Sequence, residues 1–283
     1  MKPAAFAYER PSSVGAVLDL LAQDDEGTKI IAGGQSLVAM MNLRLARPGR
    51  LIDINRLPDL DYIRREGDEV VIGALARHAD VKASALVAQC CPLMHMAYEW
   101  VAHGGVRNRG TLCGNLCHAD PASEMPAVAL AVGATMVLRS RRGERRVAAA
   151  DFFQGLYTTA TRADEMLVEV RLPVVSAGQK AGFAEVSMRK GDFAWALAAV
   201  LMTVSNGRIT QVAIACAGVS DRARRLPSVE QAIAGQSADS ATYARAGELA
   251  RDAVSPFGDA ATPAEYRKDL VRSLVERALA AAV

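Results

Sequence analysis

The sequence predicts an α+β protein of two or three lobes, and three observations carry that prediction. Short β-branched strands alternate with short helices up to about residue 172. A small, polar stretch at Pro173–Gly182 follows, with longer alternating strands beyond it. The chain then ends in helical patterns. Taken in order, Ser12 or Ser13 caps a first helix in which Val14, Val17, Leu18 and Leu21 repeat at helical spacing. Asp24–Thr28 reads as a turn and Lys29–Ala32 as a short buried strand running into Gly33-Gly34-Gln35-Ser36-Leu37. Val38–Ala46 is a short helix or turn and Arg50–Ile54 a strand, so the chain to about residue 57 forms a small β-α-β-loop-β unit. From Pro58 a second unit begins. Val70–Leu75 is a strand, and His78–Ala88 and Pro92–Ala102 are helices, the latter with proline in its first turn. Glu124–Val132 is helical, Thr135–Arg139 and Arg145–Ala149 form a hairpin, and Asp151–Phe153 and Leu167–Leu172 complete the unit. Beyond the boundary, Ala196–Val204 and Ile209–Val219 flank Asn206-Gly207, a pair suited to a type I′ turn. Helices follow at Ser228–Ala234, Ser240–Val254 and Pro263–Ala282, the last with a stripe of Tyr266, Leu270, Leu274 and Leu279.

Composition excludes several classes of function. With 33 basic and 31 acidic residues, the net charge of +2 gives no electrostatic reason to expect nucleic acid or an anionic membrane as partner. The longest largely apolar run, Ala194–Val204, is too short to span a bilayer, and MKPAAFAYERP lacks the apolar stretch of a signal peptide. A cytoplasmic location is the expectation. The cysteines at 90, 91, 113, 117 and 216 form no secreted disulfide framework, zinc pair or iron–sulfur spacing. Cys113-x3-Cys117-His118 is read as small residues lining a turn, so no metal site is expected. The histidines at 78, 95, 103 and 118 are scattered, and no G-x-S-x-G, H-E-x-x-H, G-x-G-x-x-G or P-loop pattern occurs.

Two glycine-bearing loops remain. Val106–Pro126 (VRNRGTLCGNLCHADPASEMP) is poor in large apolar residues and too rich in small turn-formers to read as a regular helix. Ala32–Leu37 is its counterpart in the first unit. Glycines let backbone approach a ligand closely, and exposed N–H groups can then point at anionic oxygens; the stretch Val106–Pro126 by itself equally fits an ordinary polar surface loop. Two such loops from neighbouring lobes can grip a diphosphate without many lysines, with Gln35, Ser36, Thr111 and Asn115 adding side-chain donors.

AGGQSL at 32–37, VRNRGTLCGN at 106–115 with LCHADPASEMP after it, and RKGDFA at 189–194 together resemble the FAD-binding medium subunit of molybdenum hydroxylases. That is the family of carbon monoxide dehydrogenase, quinoline 2-oxidoreductase and xanthine dehydrogenase, and the similarity is strongest to bacterial three-subunit enzymes. The resemblance implies a two-lobed FAD-binding domain of the p-cresol methylhydroxylase/vanillyl-alcohol oxidase type at 1–176, with lobes of about 1–57 and 58–176. A smaller α+β C-terminal domain would occupy 177–283. It also implies roles by position. Ile30, Ile31, Ala32, Gly33, Gly34, Gln35, Ser36 and Leu37 would wrap the FAD diphosphate. Thr111, Leu112, Cys113, Gly114 and Asn115 would form the second loop on the diphosphate and its sugars. Glu124 would hydrogen-bond the cofactor, Ala102, Leu167 and Lys190 would line its pocket, and Phe193 would cover the flavin ring. No residue of the chain is expected to be a catalytic acid, base or nucleophile, because the flavin carries the redox chemistry.

In the family, a molybdopterin large subunit hydroxylates substrate and a small subunit with two [2Fe–2S] clusters passes electrons on. The resemblance therefore implies an electron-transfer subunit that delivers them through FAD to an external acceptor, in a dimer of heterotrimers. Two alternatives stay open. One is a self-contained flavin oxidase or reductase, and the other is a partner-binding subunit without FAD. One departure bears on the second. The family usually has glycine where Cys113 stands. If that glycine serves a positive φ, cysteine strains the loop by about 1–2 kcal/mol. If it serves close approach, the sulfur crowds the cofactor. Either way, Cys113→Gly is expected to tighten FAD retention.

Overall fold

A computed structural model describes residues 2–23, 27–260 and 262–283. Asp24, Asp25 and Glu26 of the expected turn lie outside the described residues. The first unit is a three-stranded parallel sheet with Arg50–Asp53 between Ala7–Glu9 and Thr28–Ile31. Parallel neighbours need a crossover, and the helix Val14–Ala22 supplies it for the outer strands. Ser13 Oγ accepts from the Ala16 N–H at 3.2 Å, and Val17, Leu18 and Leu21 are buried, as their spacing required. Thr28–Ile31 runs into Gly33–Ser36, and a short helix, Leu37–Asn42, follows.

The second unit is a five-stranded antiparallel sheet in the order Ile63–Glu66, Glu69–Gly73, Met166–Pro173, Thr135–Ser140, Gly143–Ala148. The edge strand Ile63–Glu66 has no counterpart in the sequence reading. Its sequence, IRRE, is polar because an edge strand faces water and is protected by charge. Two expected helices are shorter than their patterns. His78–Ala88 divides into His78–Ala83 and Ala85–Cys90 because Ser84 leaves the helical region and caps the second piece, accepting from Val87 N at 3.3 Å. Pro92–Ala102 stops at Ala97, and Ala102 itself adopts a left-handed φ of 46°.

The third unit is a four-stranded antiparallel sheet of Gln179–Ser187, Ala194–Ser205, Arg208–Ala217 and Arg224–Arg225. Asn206 and Gly207 both take positive φ (50° and 71°), as a type I′ turn requires. Helices Ser240–Ala253 and Ala264–Ala281 pack together, and the latter covers one face of this sheet. The buried stripe of Ala264–Ala281 is Val271, Leu274, Val275, Ala278 and Leu279, rotated from the predicted one. Tyr266 instead stays exposed and meets Trp195 edge-on at 6.2 Å.

The other face of the third sheet packs on the flanking unit, and strand alternation decides which residues look that way. Along Gln179–Ser187, Ala184 and Val186 join the C-terminal core, whereas Ala181 and Phe183 join the larger N-terminal core. Glu185 shares the Phe183 face, opposite Leu197 of the same larger core. It is 6% exposed. Burial chiefly, and then the nearby Glu124 charge, pushes its carboxyl up to about 9, with Ser187 opposing only in part. A carboxyl with a raised folded pKa holds its proton in the native state after the unfolded chain has lost it. Glu185 therefore lowers stability progressively as pH rises from about 5 to about 9. Glu185→Gln is expected to flatten this decline in denaturant midpoints measured across that range. An unchanged slope would show that Glu185 is ionised or paired in the native chain.

Candidate functional site

The first glycine loop leaves strand Thr28–Ile31 with its backbone largely unsatisfied. The N–H groups of Gly33, Gly34, Gln35 and Ser36 have no acceptor among the described residues. A run of open N–H groups forms a concavity suited to an anion. Gly34 supports that curvature with φ 73°, a conformation that disfavours a side chain. Gly33 serves a different purpose: a Cβ on it would lie 2.3 Å from the Arg109 carbonyl oxygen and 2.6 Å from Gly110 Cα. The two loops thus touch backbone to backbone, and Gln35 adds a side chain that donates to the Gly33 carbonyl at 3.1 Å and passes beside Gly110.

The second loop departs from its sequence reading. Val106–Pro126 contains a regular helical segment, Leu112–His118, preceded by a short helix at Gly104–Arg107. Thr111 caps the segment, its Oγ accepting from Gly114 N at 3.1 Å, and Leu112, Cys113 and Leu116 form a buried face. Composition concealed that face because only two large apolar residues, Leu112 and Leu116, carry it. Gly114 and Asn115 lie on the opposite, solvent-accessible side. Cys113 does not have positive φ, and its sulfur turns inward to the Ile72 carbonyl at 3.8 Å. Both expected penalties are therefore absent: the residue is helical, and its side chain points away from the open face. Burial pushes its thiol well above the ordinary range.

Behind the second loop, Gly110 O accepts from His78 N at 2.9 Å and Ala76 O from Leu112 N at 3.3 Å. The His78 ring is buried against Gly110 and Tyr98, with Nδ1 3.1 Å from the Tyr98 hydroxyl. Burial, and then the Arg107 charge, drives it down to about 4, so it is neutral at physiological pH. On the far side, Asn115 Nδ2 donates to Ser123 Oγ at 2.9 Å, and that hydroxyl lies 3.5 Å from Glu124 Oε2. Glu124 begins the helix Glu124–Val132, and burial chiefly pushes its carboxyl up to about 7.

Of the remaining predicted residues, Ala102, Lys190 and Phe193 lie where the third sheet meets the second unit, whereas Leu167 sits within the second sheet. Lys190 and Phe193 belong to the loop between strands Gln179–Ser187 and Ala194–Ser205, and both are exposed. The Gly191 backbone between them lies against Ala102 and His103, so that a Cβ there would approach the Ala102 carbonyl to 3.0 Å. Lys190 Nζ sits 3.4 Å from Glu99 and over the Trp100 ring. Ala122 O and Pro121 O accept from Ala194 N (3.3 Å) and Gly218 N (2.7 Å), tying the segment after the second loop to this sheet. Leu167 is buried at a bulge in Met166–Pro173, next to Val168, whose carbonyl accepts from Ala74.

Comparison with known proteins decides the family. A profile described as the FAD binding domain in molybdopterin dehydrogenase matches residues 4–175, and one for the CO dehydrogenase flavoprotein C-terminal domain matches 181–282. The chain belongs to the FAD-binding medium subunits of molybdenum hydroxylases. It is 38% identical to the caffeine dehydrogenase subunit beta of Pseudomonas sp. (strain CBB1), over 100% of this chain and 96% of that one. It is 37% identical to the carbon monoxide dehydrogenase medium chain of Hydrogenophaga pseudoflava, over 100% and 98%. Among solved structures, carbon monoxide dehydrogenase from Hydrogenophaga pseudoflava superposes with a TM-score of 0.97 at 39% identity, covering 100% of this chain and 98% of that one. Quinoline 2-oxidoreductase from Pseudomonas putida 86 gives 0.94 at 36%, with coverage of 100% and 98%. FAD is the cofactor of this family, and the run of unpaired N–H groups at Gly33–Ser36 fits its diphosphate.

Sequence reasoning missed Asn55, Arg77, His78 and Ser123, which hold the loops from behind. Asn55 and Arg77 each follow a strand that ends beside a loop, and that position is the one signal the sequence offered. For this flavoprotein the contrast between two substitutions is informative. Gly33→Ala is expected to force the loops apart and weaken FAD binding at least about tenfold, roughly 1.4 kcal/mol. Cys113→Gly is expected to leave FAD affinity unchanged while lowering the melting temperature, because it removes a buried side chain from a helix. Titration of the FAD-free chain, with a melt of each variant, checks both. A Cys113→Gly chain that binds FAD more tightly would restore the original expectation.

Proposed function

We propose that this medium subunit is the electron outlet of its complex, taking electrons from the [2Fe–2S] clusters of a small subunit and releasing them to an external acceptor. Bound FAD would supply the redox chemistry for that transfer, collecting the clusters' electrons one at a time before their release. The observation that carries the reading is the paired loops: unpaired N–H groups at Gly33–Ser36 abut a second loop with an open face at Gly114 and Asn115. In this arrangement Gly33, Gly34, Gln35, Ser36 and Thr111 to Asn115 bind the diphosphate region, and Ile30, Ile31, Ala32 and Leu37 shape the approach. Glu124, half-protonated near neutrality, exchanges hydrogen bonds with the sugar chain. Ala102, Leu167 and Lys190 border the flavin, and Phe193 covers its ring from the loop of the third sheet.

The remaining parts of the proposal follow from the same likeness. Residues 1–176 form the FAD-binding domain, with lobes 1–57 and 58–176, and 177–283 the C-terminal domain. The partners are an iron–sulfur small subunit and a molybdopterin large subunit, assembled as a dimer of heterotrimers in the cytoplasm. Among the described residues no helix is long and apolar enough to cross a membrane. Substrate oxidation belongs to the large subunit, so the isolated chain needs no substrate pocket of its own.

The test is reduction by different donors. The purified chain is expected to show a flavin absorbance band that bleaches with reduced small subunit and persists when N-heteroaromatic substrates are added to the chain alone. Bleaching by such a substrate without partners would instead identify a self-contained oxidoreductase.

A further inference from the structure

A chain of hydrogen bonds runs behind the two loops and ties them together. Asn55 follows strand Arg50–Asp53, and its Nδ2 donates to the Ala32 carbonyl at 2.8 Å, at the root of the first loop. The same amide nitrogen donates to Asp53 Oδ1 at 2.6 Å, and the Asn55 main-chain N–H donates there at 2.9 Å. The Asn55 carbonyl oxygen accepts from Arg77 Nη2 at 2.7 Å. The other terminal nitrogen of Arg77, Nη1, donates to the Arg109 carbonyl at 2.5 Å. That carbonyl is the one against which Gly33 packs. Asp53 anchors the arrangement from the other side, accepting from the Tyr8 hydroxyl and pairing with Arg10 at 3.7 Å. Burial would raise the Asp53 carboxyl, but the bonds from Tyr8 and Asn55 outweigh it and hold it below its usual value.

The geometry points to Asn55 and Arg77 as a latch that fixes the spacing of the two FAD loops, making them positioning residues for the cofactor. The inference rests on the FAD-binding reading of the loops. Its physical basis is division of labour within one guanidinium. Arg77 commits its two terminal nitrogens to one group from each unit: the Asn55 amide, which also grips Ala32, and the Arg109 carbonyl. A planar fork with fixed donor directions can bridge two acceptors rigidly, which a lysine ammonium on a flexible stem cannot do. The guanidinium therefore acts through its shape, and its positive charge is turned to backbone and amide oxygens.

Shape and charge are separable by experiment. The FAD-free full-length chain is titrated with FAD, following quenching of flavin fluorescence, for wild type, Asn55→Ala, Arg77→Ala, Arg77→Lys and the Asn55→Ala/Arg77→Ala double variant. The latch predicts at least tenfold weaker binding for each single variant and no rescue by lysine. It also predicts a double variant within about threefold of the weaker single, because either substitution already opens the latch. Wild-type affinity in Arg77→Lys, or losses that multiply in the double variant, would overturn it. A second arm needs no cofactor: amide exchange in the FAD-free Arg77→Ala chain should accelerate at His78, Gly110 and Leu112, while strands Ala194–Ser205 and Arg208–Ala217 are unaffected. Unchanged exchange at those three amides would overturn the latch even where FAD binding is weakened. Failure of the wild-type chain to bind FAD would instead sink the reading on which the latch rests.

Discussion

The contact between Gly33 and the Arg109–Gly110 backbone is the constraint on which the site depends. Main chain from the parallel sheet and main chain from the antiparallel sheet approach so closely that a Cβ would meet a carbonyl oxygen at 2.3 Å. Such an approach removes side chains from the junction, and the N–H groups of the first loop stay open beside it. The groups around the loops are bonded. Thr111 caps its helix, His78 N and Leu112 N are bonded across the second loop, and Asn55 and Arg77 satisfy the carbonyls of Ala32 and Arg109. Carbonyls are thus bonded behind the loops while N–H groups stay open in front, a polarity that suits an anionic ligand.

The two faces of the third sheet do different work. One carries the C-terminal core under helix Ala264–Ala281, and the other packs on the flavin-binding unit through Phe183, Leu197 and their neighbours. Its loop at Met188–Phe193 is thereby delivered to Ala102, where a left-handed backbone turns the chain toward Gly104. The presence of Glu185 on the packed face, with Glu124 near enough to raise its pKa, puts two costly carboxyls at the seam between the units. An interface built for stability alone would have placed apolar residues there.

Much of this was legible in the residues. The apolar spacing placed the helix Val14–Ala22, the strands around 70, 135 and 170, and the Asn206-Gly207 hairpin, because each depends on local chemistry. The two loops were legible as glycine-bearing segments, and their order and spacing carried the family resemblance. What escaped shares one physical feature: its determinant lay outside the segment. The polar strand Ile63–Glu66 exists because Glu69–Gly73 pairs with it. The helix Leu112–His118 exists because a neighbouring sheet buries Leu112, Cys113 and Leu116. Cys113 was misread for the same reason. A glycine-to-cysteine change beside a cofactor suggests strain, but the position is helical and its side chain is accommodated below Ile72.

The same reasoning explains how a nearly neutral chain can hold a dianionic diphosphate. Two of the nearby cations are turned to protein oxygens: Arg77 is bound to oxygens of Asn55 and Arg109, and Arg107 to the carbonyls of Val101 and Ala102, while the Arg109 side chain itself is exposed. On the proposed reading, charge on the ligand is met by oriented N–H dipoles, whose worth depends on staying fixed when no ligand is present. Arginines spent on backbone carbonyls supply that rigidity. An arginine pointed at the phosphates would add Coulomb attraction but leave the loops free to drift. Rigid backbone, rather than net positive charge, is what this sequence invests in at the site.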